Sequence, residues 1–498
     1  MERYDLLVVG GGINGAGIAR DAAGRGLRVL LVERGDIGGS TSSSSSKLIH
    51  GGLRYLEQFQ FRLVAEALGE REVLLTAAPH LVRPLHFVMP HVPALRPAWM
   101  IRLGLFAYDY LARRHALDAS CAVDLRSSPY GEGLKSEYRK GFIYSDCCVD
   151  DARLVVTVAR SAADLGARIL PGMACITADR RDGTWRVALR GSDGRDSQVE
   201  ARAIVNAAGP WVGQFLGDTL GRPAEFAVKL VKGSHIVVPQ LYQGNHAFLL
   251  QNEDGRVVFA RAFEGCYTLI GTTDVEVDDP ADSGGPSAEE IDYLCRAANR
   301  YFARAVTPAD VIWHFCGVRP LFDDGSANPS AITRDYVLKV DAHGSGAPVL
   351  SVVGGKITVF RRLAEQALAA LAPWFTGLPG AWTREATLPG GDLRGAGLEE
   401  FAASQIGRDF PWLPENMRYA LVRRHGTKAY DVLSQCRSLG DLGLYFGADL
   451  YAREIDYFIE HEWARGADDV LWRRTKAGLH LDTSQRAAVK RYFDRSVS

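Results

Sequence analysis

Residues 4–9 read YDLLVV and run straight into Gly10-Gly11-Gly12-Ile13-Asn14-Gly15-Ala16-Gly17. A short apolar run of this kind is expected of a buried parallel strand. The glycines satisfy G-x-G-x-x-G at Gly10, Gly12 and Gly15. A helical stretch over 18–25 follows, closed by Gly26, and a second strand over 28–32 ends on Glu33. Gly10 permits the tight turn, Gly12 lets a pyrophosphate approach the backbone, and Gly15 lets helix and strand pack closely. The helix N-terminus presents free N–H groups and partial positive charge to phosphates. Glu33, about 20 residues on, can accept hydrogen bonds from an adenosine ribose. Together these features predict a βαβ unit that holds a dinucleotide.

Two later segments decide which dinucleotide. Residues 203–208 read AIVNAA, a strand that ends in Gly209-Pro210-Trp211, and residues 349–353 form another that ends in Gly354-Gly355-Lys356. A helix is expected to begin near Ile357, where its N-terminus can face the pyrimidine end of a flavin and stabilise the anionic reduced ring. An NAD enzyme has no use for this third element, so FAD is expected. The serine run at 40–46 has the composition of a linker. Its position, between the βαβ unit and KLIHGGLRY, favours hydroxyls that bond the pyrophosphate and ribityl chain.

A chain of 498 residues needs two or three domains. Its net charge of −1 argues against a general nucleic-acid binder. The eight cysteines form no CxxC pair and no metal-ligand spacing, which fits a reduced, cytosolic setting and no metal site. The N-terminus carries acidic residues and enters a folding element at once, unlike a signal peptide. No apolar stretch reaches the roughly 20 residues that span a bilayer.

The expected fold class is α/β. A Rossmann-like FAD domain (1–76, 146–212 and 332–388) carries an inserted antiparallel-sheet domain (77–145 and 213–331) that binds substrate and faces the membrane, and 389–498 form an all-helical C-terminal domain. Residues 61–76 read as a helix, Asp150 and Asp151 as caps of a helix over 152–165, and 185–189 with 198–205 as a hairpin. Pro and Gly cluster over 373–391, the expected boundary.

The motifs GGGINGAGIARDAAGRGL, SSKLIHGGLRYLE, EALGEREVLL, LRPAWMIRLGLF, YSDCCVDDARL, VKGSHIVVP, QNEDGRVVF, IGTTDVE, GVRPL, AITRDY, GGKIT and ADDVLWRRTKAGL run along nearly the whole chain. In these the sequence resembles the bacterial aerobic FAD-dependent glycerol-3-phosphate dehydrogenases, relatives of the D-amino-acid and glycine oxidases. It departs from them in the serine run, which lacks small apolar residues. The resemblance implies oxidation of sn-glycerol 3-phosphate to dihydroxyacetone phosphate, with Arg54, Tyr55, Arg334 and Lys356 on the phosphate and Arg319 beside the reacting hydroxyl. Guanidinium suits a dianionic phosphate through its forked donors. Cofactor contacts are expected from Gly10, Gly12, Ile13, Asn14, Gly15, Glu33, Arg34, Thr41, Ser42, Ser43, Ser46, Lys47, Leu48, His50, Ala174, Ala208, Gly209, Trp211, Gly355, Lys356, Ile357 and Thr358. His235, also expected at the substrate, and His50 are the candidate bases for the hydroxyl proton, because histidine titrates nearest neutral pH.

The resemblance also implies a quinone as electron acceptor, a homodimer, and peripheral attachment to the cytoplasmic face of the cell membrane. An oxidase that passes electrons to oxygen is the alternative. Residues 97–112, PAWMIRLGLFAYDYLA, place Trp99, Leu103, Phe106 and Tyr110 on one helical stripe, a pattern that fits a helix lying in the membrane interface.

Overall fold

The strand Glu2–Val9 lies in the middle of an eight-stranded sheet. It pairs in parallel with Val29–Glu33 on one side and with Asp196–Asn206 on the other. Val349–Val353 continues the parallel order beyond Asp196–Asn206, and Arg168–Pro171 continues it beyond Val29–Glu33. Side chains alternate across such strands. Leu6, Val8, Val29, Leu31, Ala203 and Val205 accordingly face the helices Ile13–Gly24, Asp151–Asp164 and Phe360–Leu371. Leu7, Leu30, Val32 and Ile204 face the antiparallel strands Met173–Arg181 and Thr184–Gly191, where Trp185 is buried. Full burial of each such aliphatic side chain is worth roughly 1.5–3 kcal/mol. This computed structural model describes residues 1–222, 224–323, 335–342 and 346–497.

A second sheet of ten strands stands beside the first. Most of its pairs are antiparallel, but Ala247–Gln251 runs parallel to Val82–Pro90. One face packs on the helices Phe61–Ala77 and Ala98–Tyr110, and the other on Ala288–Tyr301. The domain limit expected at 146 falls inside the continuous strand Lys140–Val149, which also pairs with Leu48–Ile49. Chain segments from the nucleotide-binding part therefore enter the second sheet, and the two cannot be cut apart at that position.

Asp150 caps the helix Asp151–Asp164 by accepting the N–H of Arg153. The strands Thr184–Gly191 and Asp196–Asn206 form the expected hairpin. Past the Pro/Gly stretch a separate hydrophobic core begins at Leu393 and includes the helices Glu415–His425, Ala452–Glu462 and Thr483–Ser496. The C-terminal unit is not entirely helical, because Tyr445–Gly447 and Leu450–Tyr451 make a small ribbon. Its turn places Ala448 and Asp449 at φ 50° and 54°, a left-handed pair usually supplied by Asn-Gly, so residue type gave no hint of it.

Buried charges join the C-terminal unit to the first. Arg153 bonds Glu462 and the carbonyl of Arg424, while Arg424 and His425 both bond Glu454 at 2.7–2.8 Å. Burial pushes the Glu454 carboxyl up, but Arg424 and His425 outweigh it and bring it down to about 2. A carboxyl lowered from 4.5 stabilises the fold fully above pH 4.5, and that contribution disappears as pH falls toward 2. Thermal unfolding across this window should show a falling midpoint, and Glu454→Gln should flatten that slope while lowering the midpoint at neutral pH.

Candidate functional site

The turn after the first strand places Gly10 at φ 109°, where a side chain is strained. A Cβ at Gly15 would sit 1.9 Å from the Gly10 carbonyl oxygen, so the helix Ile13–Gly24 can stand at the strand end only with glycine there. Gly12 caps this helix without a side chain. The Ser42 hydroxyl, from the serine run, instead accepts the N–H of Ile13 at 3.0 Å. Glu33 accepts from Gly11 N at 2.7 Å and from Gly35 N at 2.8 Å, so it braces the turn as well as facing the cavity.

Two adjoining cavities, sharing Thr41 and Ser42, open on either side of this helix end. The first, of about 290 Å³, is lined by Gly10, Gly12, Glu33, Arg34, Ala174, Ala208, Gly209 and Trp211 among others. The Arg34 guanidinium stacks 3.9 Å from the Trp211 ring and closes its outer wall. The second, of about 260 Å³, is lined by Ile13, Ser46, Leu48, His50, Arg54, Tyr55, Arg319, Gly355, Lys356, Ile357 and Thr358, with Tyr144, Leu249, Val257 and Phe259 as an apolar wall from the second sheet. A single 3-10 turn, Ile357–Val359, leads from Gly354-Gly355 into the helix that starts at Phe360. Asn14 donates to the Gly354 carbonyl at 3.0 Å and ties the two glycine loops together. Its amide oxygen is buried with no partner among the described residues. An extended dinucleotide with a large ring at one end fits this pair of cavities, the glycine cradle and that waiting acceptor.

Some expected residues lie behind the walls rather than on them. Gly15 and Asn14 shape the helix end. The Ser43 hydroxyl turns back to the Ser40 carbonyl. Lys47 is buried against Asp151 at 2.7 Å, and Asp151 also holds the Ser45 hydroxyl, so this ion pair fixes the serine run. His235, expected at the substrate, is 1% exposed, stacks on Phe315 and bonds the Ser46 hydroxyl at 2.9 Å through Nε2. Burial, with Arg319 and Lys47 nearby, holds it well below 6.5 and so neutral at physiological pH. Arg334 lies outside the described residues.

Arg319 donates to Asp274 at 2.7 Å and to Thr272 Oγ1 at 2.9 Å. A Cβ at Gly233 would sit 2.1 Å from its Nη2, so that glycine makes room for the guanidinium. Asp274 and Thr272 also line the cavity. They belong to the IGTTDVE motif, but one acid in a strand-like run carries no sign of an arginine partner 45 residues away. Lys356 lies 3.8 Å over the Tyr55 ring. The turn bearing His50 is held from below: Gly51 N donates to Tyr108 Oη, which donates to Asp146, itself bonded by Arg71. The Thr358 hydroxyl accepts from His50 N at 3.3 Å. Gly15→Val should drive its side chain into the Gly10 carbonyl. The purified variant should then lack the visible flavin bands, even with excess FAD, while its far-ultraviolet circular dichroism stays close to wild type.

Among the described residues no group of His, Cys, Asp and Glu is placed to hold a metal ion. The family described as FAD dependent oxidoreductase matches residues 5–361, and the one described as C-terminal domain of alpha-glycerophosphate oxidase matches 381–494. A glycerol-3-phosphate dehydrogenase of Pseudomonas aeruginosa is 51% identical over 99% of this chain and 95% of its own. A D-erythritol 1-phosphate dehydrogenase of Brucella abortus is 49% identical over 99% of this chain and 98% of its own. The crystal structure of a glycerol-3-phosphate dehydrogenase from Bacillus halodurans, complexed with FAD, superposes with a TM-score of 0.74 at 27% identity, covering 99% of this chain and 94% of that one. With the glycine cradle and paired cavities in place, these matches make the chain a member of the FAD-dependent oxidoreductase family, with the helical C-terminal domain of the alpha-glycerophosphate oxidases.

Proposed function

We propose that the chain oxidises sn-glycerol 3-phosphate to dihydroxyacetone phosphate and hands the electrons to a membrane quinone. The observation that carries this reading is the set of cations on the second cavity. Arg54, Lys356 and Arg319 converge with Tyr55 on a space bounded by the turn Ile357–Val359. A dianionic phosphate ester needs such a set, whereas an amino acid carries one carboxylate and is poorly matched to it. Arg54 and Lys356 take the phosphate. Arg319, held by Asp274 and Thr272, lies at the C2 oxygen and stabilises charge there as the alcohol becomes a ketone.

FAD held by the glycine cradle would supply the hydride acceptor for C2. The hydroxyl proton goes to a base of this chain. His50 lies on the cavity wall, whereas His235 is buried behind Ser46, and this position favours His50 as the base, with His235 orienting the Ser46 hydroxyl. The apolar wall of Tyr144, Leu249, Val257 and Phe259 keeps water from the reacting carbon.

No described helix is long and apolar enough to cross a membrane. The helix Ala98–Tyr110 nevertheless exposes Trp99, Leu103, Phe106 and Tyr110 at 59–72%. A stripe of that size in contact with water supports interfacial attachment to the inner face of the cell membrane, close to a lipid-soluble acceptor. A homodimer completes the proposed assembly.

The Brucella relative makes erythritol 1-phosphate the competing substrate, since it carries the same terminal phosphate on a longer polyol. Anaerobic titration with sn-glycerol 3-phosphate should bleach the flavin bands, and a quinone should restore them. Faster bleaching by erythritol 1-phosphate would shift the assignment to the longer polyol. Peroxide formed at the rate of substrate oxidation, with no gain from quinone, would mark an oxidase. Arg319→Ala should lower kcat by about 10²–10³-fold. His50→Asn should lower kcat by about 10²–10⁴-fold, more than His235→Asn does.

A further inference from the structure

The motif ADDVLWRRTKAGL, at 467–479, lies in the C-terminal unit and contributes no residue to either cavity. Its basic side chains, with Arg465 just before it, reach back to the segments that form the cavity walls. Arg474 is fully buried and grips both carboxylate oxygens of Asp36 at 2.7 Å. Arg473 adds a third bond to Asp36 at 2.6 Å. Asp36 sits at the back of the loop that begins at Glu33. From that loop, Ile37 packs on Gly11 and Gly38 N donates to the Gly11 carbonyl at 2.9 Å. The loop held by these arginines is thus the one that braces the glycine-rich turn.

Arg465 holds the opposite wall. Its guanidinium lies over Gly172, where a Cβ would sit 2.2 Å from Cζ, and it donates to the Pro171 carbonyl at 2.9 Å and to Ser192 Oγ at 2.5 Å. Met173, Ala174 and Cys175, next along the chain, line the first cavity. The two walls meet where Gly172 N donates to the Gly35 carbonyl at 3.0 Å. Lys476 bonds Asp150 at 3.1 Å, beside the Asp151 carboxylate that fixes Lys47 and Ser45. One stretch of the C-terminal unit therefore contacts three supports of the cofactor site.

We propose that residues 465–476 are a clasp that retains FAD by holding the walls around its adenosine end together. FAD leaves only when the loop at 34–38 and the segment at 171–175 part, and this separation breaks the Gly172–Gly35 bond and strains the arginine contacts behind it. Arg465, Arg473 and Arg474 are positioning residues, since their effect on the cofactor passes through Asp36 and Gly172. A bidentate guanidinium suits this role better than an ammonium, which cannot hold both oxygens of Asp36 in one plane.

The test is the rate of FAD release from the full-length holoenzyme, followed by the rise in flavin fluorescence on dilution without substrate. Asp36→Asn and Arg474→Met should each speed release by about tenfold or more, corresponding to ~1.4 kcal/mol or more. Arg474→Lys should fall between wild type and Arg474→Met. The double variant should release no faster than the worse single one, because both remove the same contact. The rise in melting temperature that FAD gives the apoprotein should shrink, and added FAD should restore bleaching by substrate. A purely structural role would lower the holo and apo melting temperatures equally and leave the release rate at its wild-type value, which overturns the proposal. If these two buried variants do not fold, Arg473→Ala and Arg465→Ala decide, since both side chains are partly solvent-exposed; wild-type release from both overturns it as well.

Discussion

The contact between Gly15 and the Gly10 carbonyl sets the geometry of everything that follows. With no side chain at either position, the first helix starts directly above the end of the first strand, and its N-terminal N–H groups face the space beyond the sheet. A branched residue at Gly15 would lift the helix off the strand and carry Asn14 with it, and Asn14 is the tie to the second glycine loop. The serine run is fastened to the same helix end through Ser42, and Glu33 to the same turn through Gly11. The cofactor cradle is therefore one joined set of backbone positions, in which displacement of one strains the rest.

What could be read from residues alone follows from how local each signal is. The strand, turn, helix and terminal acid lie within residues 2–33, and their spacing alone carries dinucleotide binding. The hairpin around 191–196 and the Asp150 cap were equally visible, because each depends on neighbours in sequence. His235 was harder to place for the opposite reason. A histidine in a strand gives no sign of which face it points to, and in the structure the ring bonds the hydroxyl of Ser46, which lines the cavity. Asp274 escaped notice because its partner Arg319 is distant in sequence, and Tyr108 because an apolar helix hides one hydroxyl that reaches Asp146. The boundary at 146 failed because a strand can enter a second sheet with no change in composition.

Charge is used differently in the separate parts of the molecule. Around the second cavity Arg54, Arg319 and Lys356 line the wall, with Arg319 held by Asp274 and Lys356 over the Tyr55 ring. Between the first and C-terminal units each buried cation meets a carboxylate or a carbonyl, as Arg153 does with Glu462 and Arg474 with Asp36. Such pairs contribute little net stability over a well-packed apolar interface, but losing one partner is costly, so they fix register between the units. The helix Ala98–Tyr110 combines two roles, with its outer face apolar and exposed and its inner face linked through Tyr108 to the turn that carries His50.

The order of strands in the first sheet has a consequence for how the protein is made. Leu6 pairs with Ala203, and Ile204 in turn with Val349, while Asn14 waits for the carbonyl of Gly354. On a ribosome the N-terminal strand and helix emerge first with their neighbour Val29–Glu33, yet Asp196–Asn206 follows only far along the chain and Val349–Val353, beyond it in the sheet, later still. Long-range parallel pairing of this kind is slow and leaves apolar strand edges open in the meantime. The cradle cannot take up its flavin cotranslationally at an early stage. Completion of the cofactor site is a late event in biogenesis, and a nascent chain truncated before Val349 lacks the Gly354-Gly355 loop that Asn14 binds and leaves Asp196–Asn206 without that parallel neighbour, a natural target for chaperones and proteases.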